Sequence, residues 1–350
     1  MAEATASTLP GVRGLFQQRL SGDDALLRLA ERRFRETGMP AEVYADNPDQ
    51  LEYLLGYIPE HDTLPVVHLS RSTDLLRTSG RDLIESFATR FVGRVAGLVV
   101  HDKASMAERL PEVISAMRGL GTPSAAQSGR PMVYLEYAAG LSLESFAALA
   151  EQLADVELAS LCIDIGHVGI RHARSIRLIS DSGAAWSNLS LTDPRLPEVA
   201  DQVQAATQSA LRIVVDLIYR IGAVGKPMHF HLHDGHPLVN GLSDHFSFFT
   251  RFPVPFEVDG RYSLPALFGA DGLATVLNAA MRSLPFGSPS FTLEIHQVDG
   301  RLPLDAASEL FTHWHDLKNA ERMNYWLDVL ANNYLLATTL LERTGSVEAG

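Results

Sequence analysis

The chain of 350 residues holds one cysteine, Cys162, so no disulfide framework can staple it, and a reducing, cytoplasmic setting is expected. Basic residues are few: 29 Lys and Arg against 42 Asp and Glu leave a formal net charge of −13. A surface of that sign repels phosphate backbones, so a nucleic-acid partner is not expected. Long apolar runs are missing as well. No stretch approaches the roughly 20 apolar residues that span a bilayer, which argues against a membrane partner. The opening "MAEATASTLPGVRG" has neither an apolar run nor a basic flank, so no secretory signal is expected. Internal repeats, low-complexity tracts and interdomain linkers are also missing. What remains is an acidic chain, 46% hydrophobic, with ample material for one sizeable core.

Short apolar, β-branched runs alternate with longer stretches of helical period, as parallel βα units require. Strands are expected at "AEVY" (41–44), "LPVVH" (64–68), "AGLVVH" (96–101), "MVYLE" (132–136), "LASLCID" (158–164), "PMHFHLH" (227–233) and "SFTLEI" (290–295). An eighth, fainter one lies near "LPGVRGLF". Eight such units point to a closed (β/α)₈, or TIM, barrel in a single domain over 1–350, with its core at about 40–300. Periodicity alone does not distinguish closure from an open sheet. A C-terminal extension, about 305–343, reads as two amphipathic helices. They would close the helical ring or pack on a second subunit, which leaves a homo-oligomer open.

The ends of those strands carry the chemistry. "VVH" ends at His68, "LVVH" at His101, "VYLE" at Glu136, "LCID" at Asp164, "HFHLH" at His233 and "FTLE" at Glu294. In a barrel, C-terminal strand ends converge on one mouth, where active sites form. One His or Glu there is ordinarily a satisfied polar residue; six together point to a metal. Within "HFHLHDGHP" side chains alternate, so His229, His231 and His233 face one way and Met228, Phe230 and Leu232 the other. Three imidazoles buried side by side cost desolvation unless hydrogen bonds or a cation satisfy them. His167 follows Asp164 by one turn, with Gly166 permitting a tight bend, and "SDHF" adds Asp244 and His245. Imidazole and carboxylate without thiolate suit Zn, Mn, Fe or Co and do not choose among them.

Two intervals, 174–200 and 234–270, are too long for plain connections and are expected to extend βα loops at the rim. The second is aromatic, and Phe246, Phe248, Phe249 and Phe252 could form an apolar lid or a satellite core. Other residues take plainer readings. His313 and His315 lie two apart on an expected helix and share no face. His61 and His172 read as loop residues, and Lys103 and Arg171 as solvated charges or contacts to a substrate anion.

These ordered motifs resemble the xylose isomerase-like (β/α)₈ superfamily, which includes sugar isomerases and epimerases and the endonuclease IV group (AP endonuclease family 2). The likeness spans about residues 40–300. Similarity to the epimerase branch implies one divalent metal held by Glu136 in "YLEYAAG", Asp164 in "CIDIGH", His231 in "HFHLHD" and Glu294 in "FTLEIH". It also implies that Glu136 and Glu294 serve as the acid/base pair and that His167 contacts substrate. His233, at the end of its strand, is expected as a further substrate contact. Pro237 stands where those epimerases commonly have an arginine. Similarity to endonuclease IV implies up to three ions, adding His68, His101, His167, Asp244 and His245 as ligands. There the family's D-x-H is a plain "DH" in this chain.

The expected function is therefore a metal-dependent isomerase or epimerase, acting on a sugar-like polyhydroxy substrate through an enediolate. The alternatives are a multinuclear phosphoesterase, a lyase or dehydratase of the same superfamily, and a metal-free binding protein.

Overall fold

The computed structural model describes residues 10–16, 22–122, 128–179, 194, 196–235, 249, 268–285, 287–294 and 320–348. Eight parallel strands close into a barrel in sequence order: β1 (Val12–Phe16), β2 (Ala41–Ala45), β3 (Val66–Leu69), β4 (Gly97–His101), β5 (Met132–Glu136), β6 (Ala159–Asp164), β7 (Met228–Leu232) and β8 (Pro289–Leu293). Closure is made by β1 pairing with β8, Val12 opposite Phe291 and Gly14 opposite Leu293. The faint N-terminal strand therefore completes the barrel, whose core begins at Val12. Nearly every strand residue is buried, because helices cover the outer face and side chains fill the interior.

The helices form where apolar periodicity and caps agree. α1 (Asp24–Thr37) starts at Asp23, whose side chain accepts from Leu26 N, and ends at Gly38 with φ of 63°, the left-handed conformation glycine supplies without strain. Asn47 caps α2 (Pro48–Leu55), with proline in its first turn, and Ser142 caps α5 (Leu143–Gln152). α3 (Thr78–Arg90) and α4 (Leu110–Gly121) lie between them in the ring. Two helices, α6 (Ile165–Ile179) and α7 (Leu196–Gly222), follow β6 and pack against each other. The interval 174–200, expected as loop, is thus helical at both ends. His172, expected in a loop, is half-buried on α6 with its Nε2 3.1 Å from Ser209 Oγ.

α8 (Gly269–Ser283) precedes β8, and a C-terminal helix, α9 (Ala320–Glu348), packs on α1, α8, β1 and β8 through Met323, Trp326, Leu327, Leu330 and Leu341. The fit on β1 is close: a Cβ on Gly14 would come within 2.8 Å of Leu330. The C-terminal segment therefore closes the helical ring. Where two helices were expected across 305–343, the described part is one helix, and 305–319 lie outside the described residues.

Candidate metal centre

Strand register assembles the mouth. His101 on β4 pairs with Glu136 on β5, and Asp164 on β6 with His231 on β7. Adjacent strands thereby carry imidazole beside carboxylate at one height. His68, His101, Glu136, Asp164, His167, His231, His233 and Glu294 are all buried at this end of the barrel. Asp244 and His245 lie outside the described residues, as do Phe246, Phe248, Phe252, His313 and His315.

Glu136 is at the centre. Its Oε2 is 3.0 Å from His68 Nε2 and 3.5 Å from His101 Nε2, while its Oε1 is 3.4 Å from His231 Nδ1. The same His231 nitrogen is 3.2 Å from Glu294 Oε1. One carboxylate thus turns one oxygen to each of two imidazole groups. Around a tetrahedral ion with bonds of about 2.0–2.1 Å, neighbouring donor atoms stand about 3.3 Å apart, close to these separations.

Donor chemistry supports the same assignment. Nδ1 of His68 donates to the Leu69 carbonyl at 3.2 Å, which leaves Nε2 as the nitrogen turned toward Glu136; burial lowers this ring's pKa, but Glu136 outweighs burial and raises it. Neither oxygen of Glu136 makes a hydrogen bond, nor does Asp164 Oδ2 or Nδ1 of His231, although all are buried. Lone pairs converging without hydrogens between them are what a cation satisfies. Burial pushes the Glu136 carboxyl up, but the neighbouring imidazoles of His101, His68 and His231 outweigh it and hold the group well below the ordinary carboxylate range. Burial lowers His101 to about 3, so its ring is neutral and ligand-competent at neutral pH. Glu136 with His68 and His101, and Glu136 with Asp164 and His231, are both compact enough to hold an ion.

His233 has a different environment. Its Nδ1 donates to the Asp234 carbonyl at 3.0 Å, and its Nε2 lies 2.8 Å from Asp164 Oδ1. Burial opposes a charge on this ring, but Asp164 outweighs burial and raises its pKa. Gly166 exists for this ring. A Cβ there would lie 1.9 Å from His233 Cε1, so the glycine serves side-chain packing in the first turn of α6 rather than a bend. His167, on the same turn, donates its backbone N–H to Asp164 Oδ1 at 2.8 Å and brings its Nε2 to 3.4 Å from Oδ2.

Several residues at the site had no part in the sequence reading. Glu42, on β2, is fully buried beneath the cluster, 2.9 Å from His229 Nε2 and 3.0 Å from His231 Nε2. Its signal was present: a charge inside an apolar strand, with a parity that points it into the barrel. Tyr44 stacks on His68 with ring centroids 4.1 Å apart. Asp102 accepts from the backbone of Ala138, Gly140 and Leu141, all at 2.8–2.9 Å. Asp234 accepts from Gly235, Phe268 and Gly269. Arg171, expected to be solvated or to meet substrate, instead donates to the carbonyls of Ala139 and Leu141, each at 2.6 Å. Lys103 stands 3.4 Å from the Ser72 carbonyl and 4.0 Å from Asp74. His61 is an exposed loop residue accepting from Thr63 N.

Fold and side chains define a (β/α)₈ barrel with a buried cluster able to bind metal at its C-terminal mouth. No protein-family model matches the chain, and no curated protein matches it. Among solved structures, it is similar to a thermostable mutant of a xylanase from Cellvibrio japonicus, with 11% identity and a TM-score of 0.45 over 83% of this chain and 87% of that one. A mutant of xylanase A from P fluorescens subsp. cellulosa, in complex with xylopentaose, is 13% identical with a TM-score of 0.44, covering 88% and 90%. At these values the likeness is that of one barrel to another, and the chemistry of the site rests on its own residues.

Proposed function

We propose that the barrel mouth is a divalent-metal centre of at least two ions, bridged by Glu136, and that the protein is a hydrolase of small-molecule phosphoesters. The observation that carries this is the split of Glu136, with Oε2 toward His68 and His101 and Oε1 toward His231. A single ion held by Glu136, Asp164, His231 and Glu294 leaves that pair of buried histidines without a task. Two divalent ions there would supply Lewis acidity to phosphoryl oxygens and lower the pKa of water. His68 and His101 would hold one position, and Asp164, His231 and Glu294 the other. His233 holds Asp164 in orientation by taking its Oδ1. The resemblance to the endonuclease IV group implies a third position at His167 with Asp244 and His245, of which the last two lie outside the described residues. In the reaction, water oxygen adds to phosphorus, the bond from phosphorus to the alcohol oxygen breaks, and the alcohol leaves with a proton. The net charge of −13 favours a small substrate over a polyanion. The motifs resemble those of the xylose isomerase-like superfamily, where the endonuclease IV group uses such a ligand set.

A second reading keeps one metal and makes Glu136 and Glu294 the acid/base pair of a sugar isomerase or epimerase. It is favoured by both carboxylates meeting the same His231 nitrogen, at 3.4 and 3.2 Å. Elemental analysis of protein purified without chelator separates the two. Two or more ions per chain, reduced by one in His101→Ala, together with hydrolysis of an aryl phosphodiester, support the hydrolase. One ion, indifferent to His68→Ala and His101→Ala, turns the assignment to the isomerase. No ion taken up on titration overturns both.

A further inference from the structure

Beneath the mouth, a second layer of polar side chains surrounds Glu42. Its Oε2 accepts from Thr292 Oγ1 at 2.6 Å and faces His229 Nε2 at 2.9 Å. The other ring nitrogen of His229 is 2.6 Å from Ser290 Oγ. Oε1, the remaining oxygen, lies 3.0 Å from His231 Nε2. Glu42, His229, His231 and Thr292 are fully buried, and Ser290 is partly so.

We infer that Glu42 is the positioning residue of the metal centre: it takes the Nε2 proton of His231 and so leaves the Nδ1 lone pair for the ion. The geometry carries this in three steps. An imidazole has one proton and one lone pair when neutral, and the two nitrogens of His231 face opposite partners. Nδ1 faces Glu136 and Glu294, the carboxylates of the mouth, whereas Nε2 is 3.0 Å from Glu42 Oε1. Two donors already meet Glu42 Oε2, which leaves Oε1 as the oxygen turned to His231. A carboxylate behind a metal-bound histidine fixes the ring's tautomer and raises its basicity, and removing such partners typically lowers metal affinity about 10–100-fold. His229, one layer below His231 on the same strand, is thereby a support for Glu42 rather than a ligand.

This assignment rests on the metal reading and is tested separately from it. In the wild-type protein loaded with ¹¹³Cd and labelled with ¹⁵N-histidine, scalar coupling from cadmium to Nδ1 of His231, with Nε2 protonated, is expected. Coupling through Nε2 overturns the role of Glu42 while leaving the metal centre standing; failure to take up cadmium at all overturns both. In Glu42→Gln, the number of ions per chain is expected to stay the same while one site weakens about 10–100-fold. Loss of one ion outright makes Glu42 a ligand, and unchanged affinity makes it a bystander; either result overturns the inference.

Discussion

Asp234 offers the sharpest test of how the mouth is held in place. It follows His233 and is fully buried. Its Oδ1 accepts from Gly235 at 2.7 Å and Phe268 at 3.2 Å, and its Oδ2 from Gly269 at 2.8 Å. One side chain thus fastens the end of β7 to the start of α8, across more than 30 intervening residues. Burial raises its pKa to about 7, and the three backbone donors pull it down only in part. An unfolded aspartate ionises near 3.9. Because the folded state holds the proton more tightly, this group's contribution is full below about pH 4 and is lost as pH rises toward 7. At 1.36 kcal/mol per pH unit, the shift corresponds to about 4 kcal/mol in total, of which about 2 kcal/mol falls between pH 5 and 7. Asp234→Asn cannot titrate. Urea unfolding of metal-free wild type and variant across pH 5–8 should show the variant gaining about 2 kcal/mol on wild type by pH 7, then levelling off. A difference that stays flat, or that runs the other way, refutes the burial argument.

Two smaller predictions bear on the same rim. Gly166→Ala forces a methyl into the His233 ring and should cost about 1–3 kcal/mol in unfolding free energy, with weaker metal binding as Asp164 shifts. A loss below about 0.5 kcal/mol would mean that the ring moves aside freely. Ala139 has φ of 64° while its loop is clamped by Asp102 and Arg171. Ala139→Gly should therefore stabilise by up to about 1 kcal/mol, read in the denaturation midpoint, and a destabilisation would show that the clamp imposes no strain.

The barrel was legible because its signals are local. Each strand is a short apolar run, and parity within "HFHLH" assigns Met228, Phe230 and Leu232 to the helix side and the three histidines to the interior, as found. The meeting of His68, His101, Glu136, Asp164, His233 and Glu294 at one end of the barrel was expected from strand ends alone. Less local facts were hidden. Arg171 reads as a surface charge until the loop over Tyr137–Leu141 is seen to bring two carbonyls to it. Gly166 reads as a bend until His233 is placed against it. The layer beneath the mouth, Glu42 and its donors, spans β2, β7 and β8, which are remote in sequence and adjacent only after closure.

A regularity emerges from those misses. At β4 and β7 the strand leads into a histidine followed by an aspartate: His101 and Asp102, His233 and Asp234. Side chains alternate, so the histidine turns inward to the cluster and the aspartate turns toward the neighbouring loop. The first aspartate collects three N–H groups from the loop after β5, just beyond Glu136, and the second those at the start of α8. A donor atom at a strand end is only as fixed as the backbone that follows it, and such fixity matters because misplacement of about 1 Å is enough to spoil a site. The H-D pairs place the donor and fasten the rim with consecutive residues. They therefore tie the cluster's geometry to the stability of its loops, and the pH response of Asp234 should be felt at the metal centre as well as in the unfolding curve.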